Sequence, residues 1–212
     1  MIDAATVRAN ADRVRNRISD AGGDPDRITL IAVTKGHGTD AVAAALEAGL
    51  HDLGENYAQE LIAKAEDVVV PRWHFIGQLQ RNKVRTLAHL VHLWQSVDRL
   101  TLGNEIAKRA PGAAVLVEVN LSDDPKRGGA RPAMVPGLVD GLRDLGLEVQ
   151  GLMAVAPHGG LDDATRGFDL VRDLADTLNL DLRSMGMTGD FEAAVRAGST
   201  MVRIGTALFG ER

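Results

Sequence analysis

Short runs of β-branched and apolar residues recur from one end of the chain to the other, with stretches of helical spacing between them. These runs lie at residues 28–33, 52–54, 73–77, 93–97, 114–119, 149–155, 182–186 and 200–204. Strands that alternate with helices form parallel βαβ units. Eight such strands in 212 residues predict one compact α/β domain, a (β/α)8 or TIM barrel that covers residues 1–212. An open doubly wound sheet is the competing architecture, but it usually has fewer strands.

Two stretches carry the clearest helical periodicity, with apolar residues at steps of three and four along one face. They are Val7, Ala11, Val14 and Ile18, and then Ala164, Phe168, Val171, Ala175 and Leu178. The first stretch precedes the first strand and predicts an extra N-terminal helix, with Asp3 as its cap and residues 21–23 as its end. The loop at residues 122–129 is rich in turn formers and is expected to be long and flexible.

The composition narrows the classes of function. The chain has no cysteine, which excludes disulfides, thiolate nucleophiles and cysteine-bound metals. Its net charge of −5 predicts no general attraction to nucleic acid or to an anionic membrane. Residues 1–20 do not resemble a signal peptide and no apolar run is long enough for a membrane helix, so a cytoplasmic location is expected. His74, His89 and His92 lack the spacing of metal ligands, and no metal site is expected.

Polar residues gather at the C-terminal ends of the predicted strands, which is where the active sites of TIM barrels lie. They include Lys35, Glu55, Asn56, His74, Ser96, Asp98, Asn120, Ser184, Thr188, Arg203 and Thr206. Because the fold brings all eight strand ends to one rim, we expect these side chains to form a site there.

Lys35 follows the apolar run of the first strand, which ends at Val33, and is expected at this rim. Burial disfavours the charged form of a lysine, and a neutral amine can attack an aldehyde to form a Schiff base. A rim lysine can equally be paired with a carboxylate, and Glu118 is a candidate partner. The residues by themselves leave both interpretations open.

The loops after strands seven and eight are the favoured phosphate site of a TIM barrel. Gly205 permits close approach of the backbone to an anion, Thr206 offers a hydroxyl, and Ser184 or Thr188 can add another. A Gly-Thr pair ahead of a helix is also a common helix cap, so capping is the alternative interpretation.

Taken in order, several segments resemble the YggS-like pyridoxal 5′-phosphate (PLP) homeostasis proteins, also called PROSC, which are similar to the N-terminal barrel of alanine racemase. The segments are AVTK (32–35), LGEN (53–56), WHFIGQLQRNK (73–83), SVDRL (96–100), VNLS (119–122), GLMA (151–154), SMGMT (184–188) and AGSTMVRIGTALFG (197–210). Two departures stand out. Members usually have Ser-Lys-Thr-Lys-Pro where residues 34–38 read Thr-Lys-Gly-His-Gly, so a more mobile loop is expected, and Thr188 replaces the usual serine.

The resemblance implies a PLP site built around Lys35 as the Schiff-base lysine and Arg203 as the cation facing the pyridine nitrogen. It also implies phosphate contacts from Ser184, Gly205 and Thr206, further pocket walls from Met185, Gly186 and Thr188, and ring contacts from Asn56, His74 and Met153. A permanent cation beside the ring nitrogen disfavours its protonation, which makes the ring a poorer electron sink.

The function that this resemblance implies is buffering or delivery of PLP, with PLP-dependent apo-enzymes as recipients and no strong catalytic activity. A monomer is expected because the implied site is complete within one chain. A PLP-dependent amino-acid racemase is the alternative, and it needs acids or bases on both faces of the substrate. The chain's single tyrosine, Tyr57, is expected in the helix after the second strand, where it does not serve this role. A phosphosugar-processing barrel is a third possibility, but it leaves Arg203 unexplained.

Overall fold

The computed structural model describes residues 2–67, 71–122, 124, 127–157 and 159–211. Its strands are β1 (Thr29–Val33), β2 (Asp52–Glu55), β3 (Arg72–Phe75), β4 (Val91–Val97), β5 (Ala114–Val119), β6 (Glu148–Ala154), β7 (Leu182–Met185) and β8 (Met201–Ile204). Its helices are α1 (Ala4–Asp20), α2 (Thr39–Glu47), α3 (Ala58–Asp67), α4 (Arg81–Leu87), α5 (Leu100–Arg109), α6 (Val135–Asp144), α7 (Leu161–Thr177), α8 (Phe191–Arg196) and α9 (Thr206–Phe209). Every predicted strand is present, with ends no more than two residues from the predicted ones.

The strands form a closed parallel barrel in chain order, and the last strand pairs with the first. Ala32 of β1 is in register with Leu53 of β2 on one side and with Ile204 of β8 on the other. The predicted (β/α)8 fold is therefore confirmed. Its closure brings the residues after β1 and those after β8 to the same part of the rim.

Apolar side chains fill two separate parts of the core. The larger cluster joins the strands to the surrounding helices, and its fully buried members include Trp94, Phe75 and Phe168. The smaller cluster joins five strands of the barrel through Ile31, Leu93, Leu116, Met153 and Met201. Because side chains alternate between the two faces of a strand, these five residues meet inside the barrel.

The extra N-terminal helix α1 is also confirmed. Asp3 caps it by accepting a hydrogen bond from the Thr6 N–H at 2.8 Å. The predicted apolar face of Val7, Ala11, Val14 and Ile18 is buried. The helix packs against α2, α8 and α9, so it covers the seam where β1 and β8 pair. Among the described residues, no helix is both long and apolar enough to cross a bilayer.

The loop predicted at residues 122–129 follows β5. Residues 123, 125 and 126 lie outside the described residues. At its base, Asn120 Oδ1 accepts a hydrogen bond from the Ser122 N–H at 2.9 Å, and the Ala130 N–H donates to the Glu118 carbonyl at 2.7 Å. Both ends of the loop are therefore tied to the end of β5, while its flexibility stays a prediction.

Candidate functional site

A cavity of about 440 Å³ opens at the C-terminal rim of the barrel. It is lined by Val33, Lys35, His37, Asn56, Ile76, Val155, Met187, Thr188, Gly189, Arg203, Gly205, Thr206, Gly210 and Glu211. These residues come from the ends of β1, β2, β3, β6, β7 and β8 and from the loops that follow them. The cavity therefore lies where the sequence predicted a site.

Six of the predicted site residues line this cavity, and they come from four separate places in the chain. They are Lys35, Asn56, Thr188, Arg203, Gly205 and Thr206. The fold thus brings residues that carry a primary amine, a guanidinium, an amide and two hydroxyls to the wall of one cavity.

The other predicted residues do not lie on the cavity wall. Met153 belongs to the cluster inside the barrel and is 1% exposed, and Met185 is fully buried in the larger core cluster. Gly186 has a φ of +90°, and a Cβ there would lie 2.7 Å from the Cβ of Ala194. Its backbone therefore packs directly on α8, where no side chain fits.

His74 and Ser184 are buried inside the barrel. Both take part in a chain of hydrogen bonds that begins at Arg203. Arg203 Nη1 donates to the Ser184 carbonyl at 2.5 Å and to its hydroxyl at 2.7 Å, and Nη2 donates to the Ala154 carbonyl at 2.7 Å. These three bonds hold the guanidinium between β6, β7 and β8 at the floor of the cavity.

The chain of hydrogen bonds continues from Ser184 through the interior of the barrel, toward the N-terminal ends of the strands. The Ser184 hydroxyl donates to Gln95 Oε1 at 2.7 Å, and Gln95 Nε2 lies 2.8 Å from His74 Nδ1. His74 Nε2 lies 3.0 Å from Asp52 Oδ1, and Asp52 also accepts two hydrogen bonds from Arg72. Burial acts to raise the pKa of Asp52, but the hydrogen bonds from His74 and Arg72 outweigh it and hold that pKa below its usual value.

Electrostatics keep Arg203 charged although it is almost fully buried. Burial lowers the pKa of its guanidinium to about 10, while the carboxylates of Glu118 and Asp190 act in the opposite direction. The group therefore stays protonated at neutral pH. It supplies a fixed positive charge to the cavity wall.

The carboxyl of Glu118 is a second group near Arg203 whose pKa is shifted. Burial raises the pKa of its carboxyl to about 7, and Asp98 adds to the effect, while Arg203 and Arg127 oppose it. The sequence named Glu118 only as a possible partner of Lys35. Nothing in its position along β5 indicates a carboxyl that is half protonated near neutral pH.

The backbone on either side of Lys35 is tied to helix α3. Lys64 Nζ donates to the Thr34 carbonyl at 2.8 Å, and the Gly36 N–H donates to Glu60 Oε2 at 2.7 Å. Lys64 also pairs with the buried carboxylate of Glu55 at 2.5 Å. Sequence reasoning missed Glu60 and Lys64, although their spacing of four residues on a predicted helix was the available clue.

Two features shape the cavity around Asn56. Its Oδ1 is buried and has no hydrogen-bond partner among the described residues. A Cβ at Gly77 would lie 2.1 Å from the Asn56 carbonyl oxygen, so only glycine lets β2 and β3 approach this closely. Asn56 therefore lies on the cavity wall with a buried acceptor that a ligand can use.

The segment after β8 approaches the first strand closely. A Cβ at Gly205 would lie 3.3 Å from the Val33 carbonyl oxygen. Gly205 is also the N-cap of the one-turn helix α9, and no side chain of a described residue caps that helix. The capping interpretation of the Gly-Thr pair thus accounts for its position before α9 but not for the presence of Thr206 on the cavity wall.

Comparison with known proteins places this arrangement in a family. The family described as alanine racemase, N-terminal domain, matches residues 2–212. The pyridoxal phosphate homeostasis protein of Pseudomonas aeruginosa is 40% identical over 220 residues, which cover 99% of this chain and 95% of the relative. The corresponding protein of Escherichia coli K12 is 37% identical over 229 residues, 97% of each chain.

Solved structures agree with the sequence relatives. PipY of Synechococcus elongatus with PLP bound has a TM-score of 0.82 and 31% identity, and the match covers 93% of this chain and all of that one. A protein of unknown function from Bifidobacterium adolescentis has a TM-score of 0.91 and 33% identity over 99% of this chain and 98% of that one. The chain therefore belongs to the family of the alanine racemase N-terminal domain, in the group that contains the pyridoxal phosphate homeostasis proteins.

Proposed function

We propose that this chain binds PLP in the rim cavity and acts in PLP homeostasis, by buffering the cofactor or delivering it to PLP-dependent apo-enzymes. One observation carries the proposal: Lys35, in the loop after β1, and Arg203, within the neighbouring strand β8, line one cavity together with Thr206. A PLP-bound relative and relatives named for PLP homeostasis support it.

The residues present fit the chemical groups of PLP. The volume of about 440 Å³ lies within the range of roughly 300–1,000 Å³ typical of small-molecule sites. Gly205, Thr206 and Thr188 would hold the phosphate, and Arg203 would face the ring nitrogen. The unpartnered Oδ1 of Asn56 would accept a hydrogen bond from the ring hydroxyl.

Lys35 would hold PLP covalently. In its neutral form the amine would add to the aldehyde carbon, a C=N bond would replace the C=O bond, and the oxygen would leave as water. PLP supplies an aldehyde and an electron-accepting ring, and the buried cation of Arg203 would keep the ring nitrogen unprotonated. Because an unprotonated ring withdraws electrons weakly, the site favours retention of the cofactor over turnover.

The racemase alternative gains no support from the position of Tyr57. This residue lies just before α3 instead of within it, is 56% exposed, and is absent from the cavity lining. A two-base reaction needs a second group over the face of the substrate opposite Lys35. We therefore propose a carrier. We propose that it is monomeric because one chain by itself supplies the lysine, the arginine, the asparagine and the threonines of the cavity.

An absorption experiment tests the proposal. The purified protein is mixed with PLP, its visible spectrum is recorded before and after borohydride, and the reduced adduct is located by peptide mapping. We expect a band that borohydride removes and an adduct on Lys35. Lys35→Ala should lose the adduct, whereas Lys108→Ala on the exposed face of α5 should keep it.

The outcomes separate the alternatives. An adduct on another lysine, or a full adduct in Lys35→Ala, would show that Lys35 is misassigned. Steady racemisation of alanine by the wild-type protein would replace the carrier with the racemase. Transfer of PLP from the loaded protein to an apo-enzyme of the PLP-dependent class, faster than its release into buffer, is the result expected of a delivery protein.

A further inference from the structure

Two peptide groups flank the Cα of Lys35, and both are held by side chains of helix α3. On the N-terminal side, the Thr34 carbonyl accepts a hydrogen bond from Lys64 Nζ at 2.8 Å. On the C-terminal side, the Gly36 N–H donates to Glu60 Oε2 at 2.7 Å. Glu60 and Lys64 are four residues apart and contact each other at 3.3 Å. One turn of α3 therefore binds the backbone on both sides of Lys35.

The hydrogen bond from Lys64 to this backbone is held in place by contacts in the protein interior. The side chain of Lys64 is 5% exposed, and its ammonium pairs with the fully buried carboxylate of Glu55 at 2.5 Å. The Thr34 hydroxyl donates to the same Glu55 oxygen at 2.6 Å. Lys64 therefore has no room to swing away, and its direction toward the Thr34 carbonyl is fixed.

The loop that carries Lys35 needs such a constraint. Gly36 has a φ of +73°, in the left-handed region, and Gly38 follows two residues later. Glycine loses more conformational freedom on ordering than any other residue, so a segment with two glycines is intrinsically flexible. Side-chain contacts from α3 can supply the stiffness that the loop's own sequence does not.

We infer that Glu60 and Lys64 are positioning residues that fix the backbone of Lys35 and thereby aim its amine into the rim cavity. The inference rests on the proposed function, since it concerns the attachment of PLP to Lys35. Neither side chain lines the cavity, so both act through the peptide groups of residues 34–36. Amine and aldehyde react quickly only when they are held in a reactive orientation, which is why a loosened loop should slow attachment.

Glu60 is the residue to change, because its side chain is 32% exposed and its loss does not bury an unpaired charge. Glu60→Ala removes the acceptor of the Gly36 N–H, whereas Glu60→Gln retains an acceptor oxygen at the same place. Glu105→Ala is the matched control, since Glu105 forms an exposed pair with Arg109, also four residues apart, on α5.

Two measurements on the full-length variants test the inference. Amide hydrogen exchange of the cofactor-free protein reports the Gly36 N–H directly, and stopped-flow absorbance with PLP reports the rate of attachment to Lys35. We expect Glu60→Ala to expose the Gly36 amide to exchange and to slow attachment by about tenfold, the effect of losing one hydrogen bond to a charged acceptor. Glu60→Gln should restore most of both, and Glu105→Ala should change neither.

The results distinguish failure of the inference from failure of the proposed function. If Glu60→Ala exposes the Gly36 amide but attaches PLP at the wild-type rate, the positioning role is wrong and the carrier function stands. If the Gly36 amide is equally protected in Glu60→Ala and in wild type, the hydrogen bond to Glu60 does not hold the loop and the inference is wrong. If the wild-type protein forms no adduct with Lys35, the proposed function fails, and the positioning role fails with it.

Discussion

The guanidinium of Arg203 donates to the hydroxyl oxygen of Ser184 at 2.7 Å. Because a guanidinium is a donor only, the Ser184 proton must point the other way, toward Gln95 Oε1. The nitrogen of the Gln95 amide then faces His74 Nδ1 and donates to it, which leaves the His74 proton on Nε2, facing Asp52. The two charged ends of this chain thus impose one direction on every hydrogen bond between them.

Replacing Gln95 by leucine should break this chain at its centre. The Ser184 hydroxyl proton would lose its acceptor and His74 Nδ1 would lose its donor, at about 1–3 kcal/mol for each group. We expect Gln95→Leu to lower the free energy of unfolding by roughly 2–4 kcal/mol, measured by urea denaturation. Gln150→Leu on β6 is the control, since the Gln150 amide donates to an exposed carboxylate. A similar loss of stability in Gln150→Leu would show that the effect of Gln95→Leu does not come from breaking the buried chain of hydrogen bonds.

Replacing Arg203 by lysine should weaken both stability and PLP binding. One ammonium cannot reach the Ser184 carbonyl, its hydroxyl and the Ala154 carbonyl with the geometry of a planar fork. We expect Arg203→Lys to lower the free energy of unfolding by roughly 2–4 kcal/mol and to weaken PLP retention, without creating transaminase activity. Thermal unfolding and PLP titration measure these effects. Arg196 is exposed, so Arg196→Lys should behave as wild type. An Arg203→Lys protein with the stability and PLP affinity of Arg196→Lys would contradict the role of the Arg203 guanidinium in the fold and in PLP binding.

Glu118 should make stability depend on pH. Burial raises the pKa of its carboxyl from 4.5 to about 7, so the native state keeps a proton that the unfolded chain releases. The resulting stabilisation is fully present below pH 4.5 and is lost as the pH rises through about 7. The difference in stability between Glu118→Gln and wild type should therefore shift by roughly 1–3 kcal/mol in favour of the variant as the pH rises from 4.5 to 8.

Urea denaturation at a series of pH values checks this expectation. Glu148→Gln, at an exposed position of β6, provides the control and should follow the wild-type curve. Parallel curves for Glu118→Gln and wild type would mean that the Glu118 carboxyl has an ordinary pKa in the folded protein.

Gly77 should not tolerate a side chain. A Cβ there would lie 2.1 Å from the Asn56 carbonyl oxygen, a contact that forces β2 and β3 apart. We expect Gly77→Ala to cost about 1–3 kcal/mol of stability and to weaken PLP binding, because Asn56 is displaced from the cavity wall. Gly137→Ala is the control: no described residue has an atom within 4 Å of its Cβ position in helix α6, and alanine there should stabilise slightly. Equal stability of the two variants would contradict the close strand approach.

The barrel could be predicted from the sequence because its strands are buried and therefore rich in β-branched and apolar residues. The site was harder to predict, because a residue near a strand end is not always at the rim. Ser184 and Arg203 both point into the barrel, and only the longer side chain of Arg203 reaches the cavity. Met153 and His74 also point inward, below the cavity floor, and side-chain length and strand register decide this difference.

The loop after β1 shows a second limit of sequence reasoning. Its glycines predict mobility, whereas the structure ties Gly36 to Glu60 and sets the His37 ring 5.5 Å from that of Phe209. Both partners lie in other elements, at distances along the chain that no local pattern reveals. Contacts between a loop and a neighbouring helix can be read only once the fold is known.

The pairing of β8 with β1 has a consequence for how the protein acquires its ligand. Lys35 and Arg203 come from opposite ends of the chain, so the cavity does not exist until the final strand has been synthesised and docked. A ligand that contacts both strands binds only the closed barrel and stabilises it by mass action. The supply of such a ligand would then determine how often the seam between the first and last strands opens.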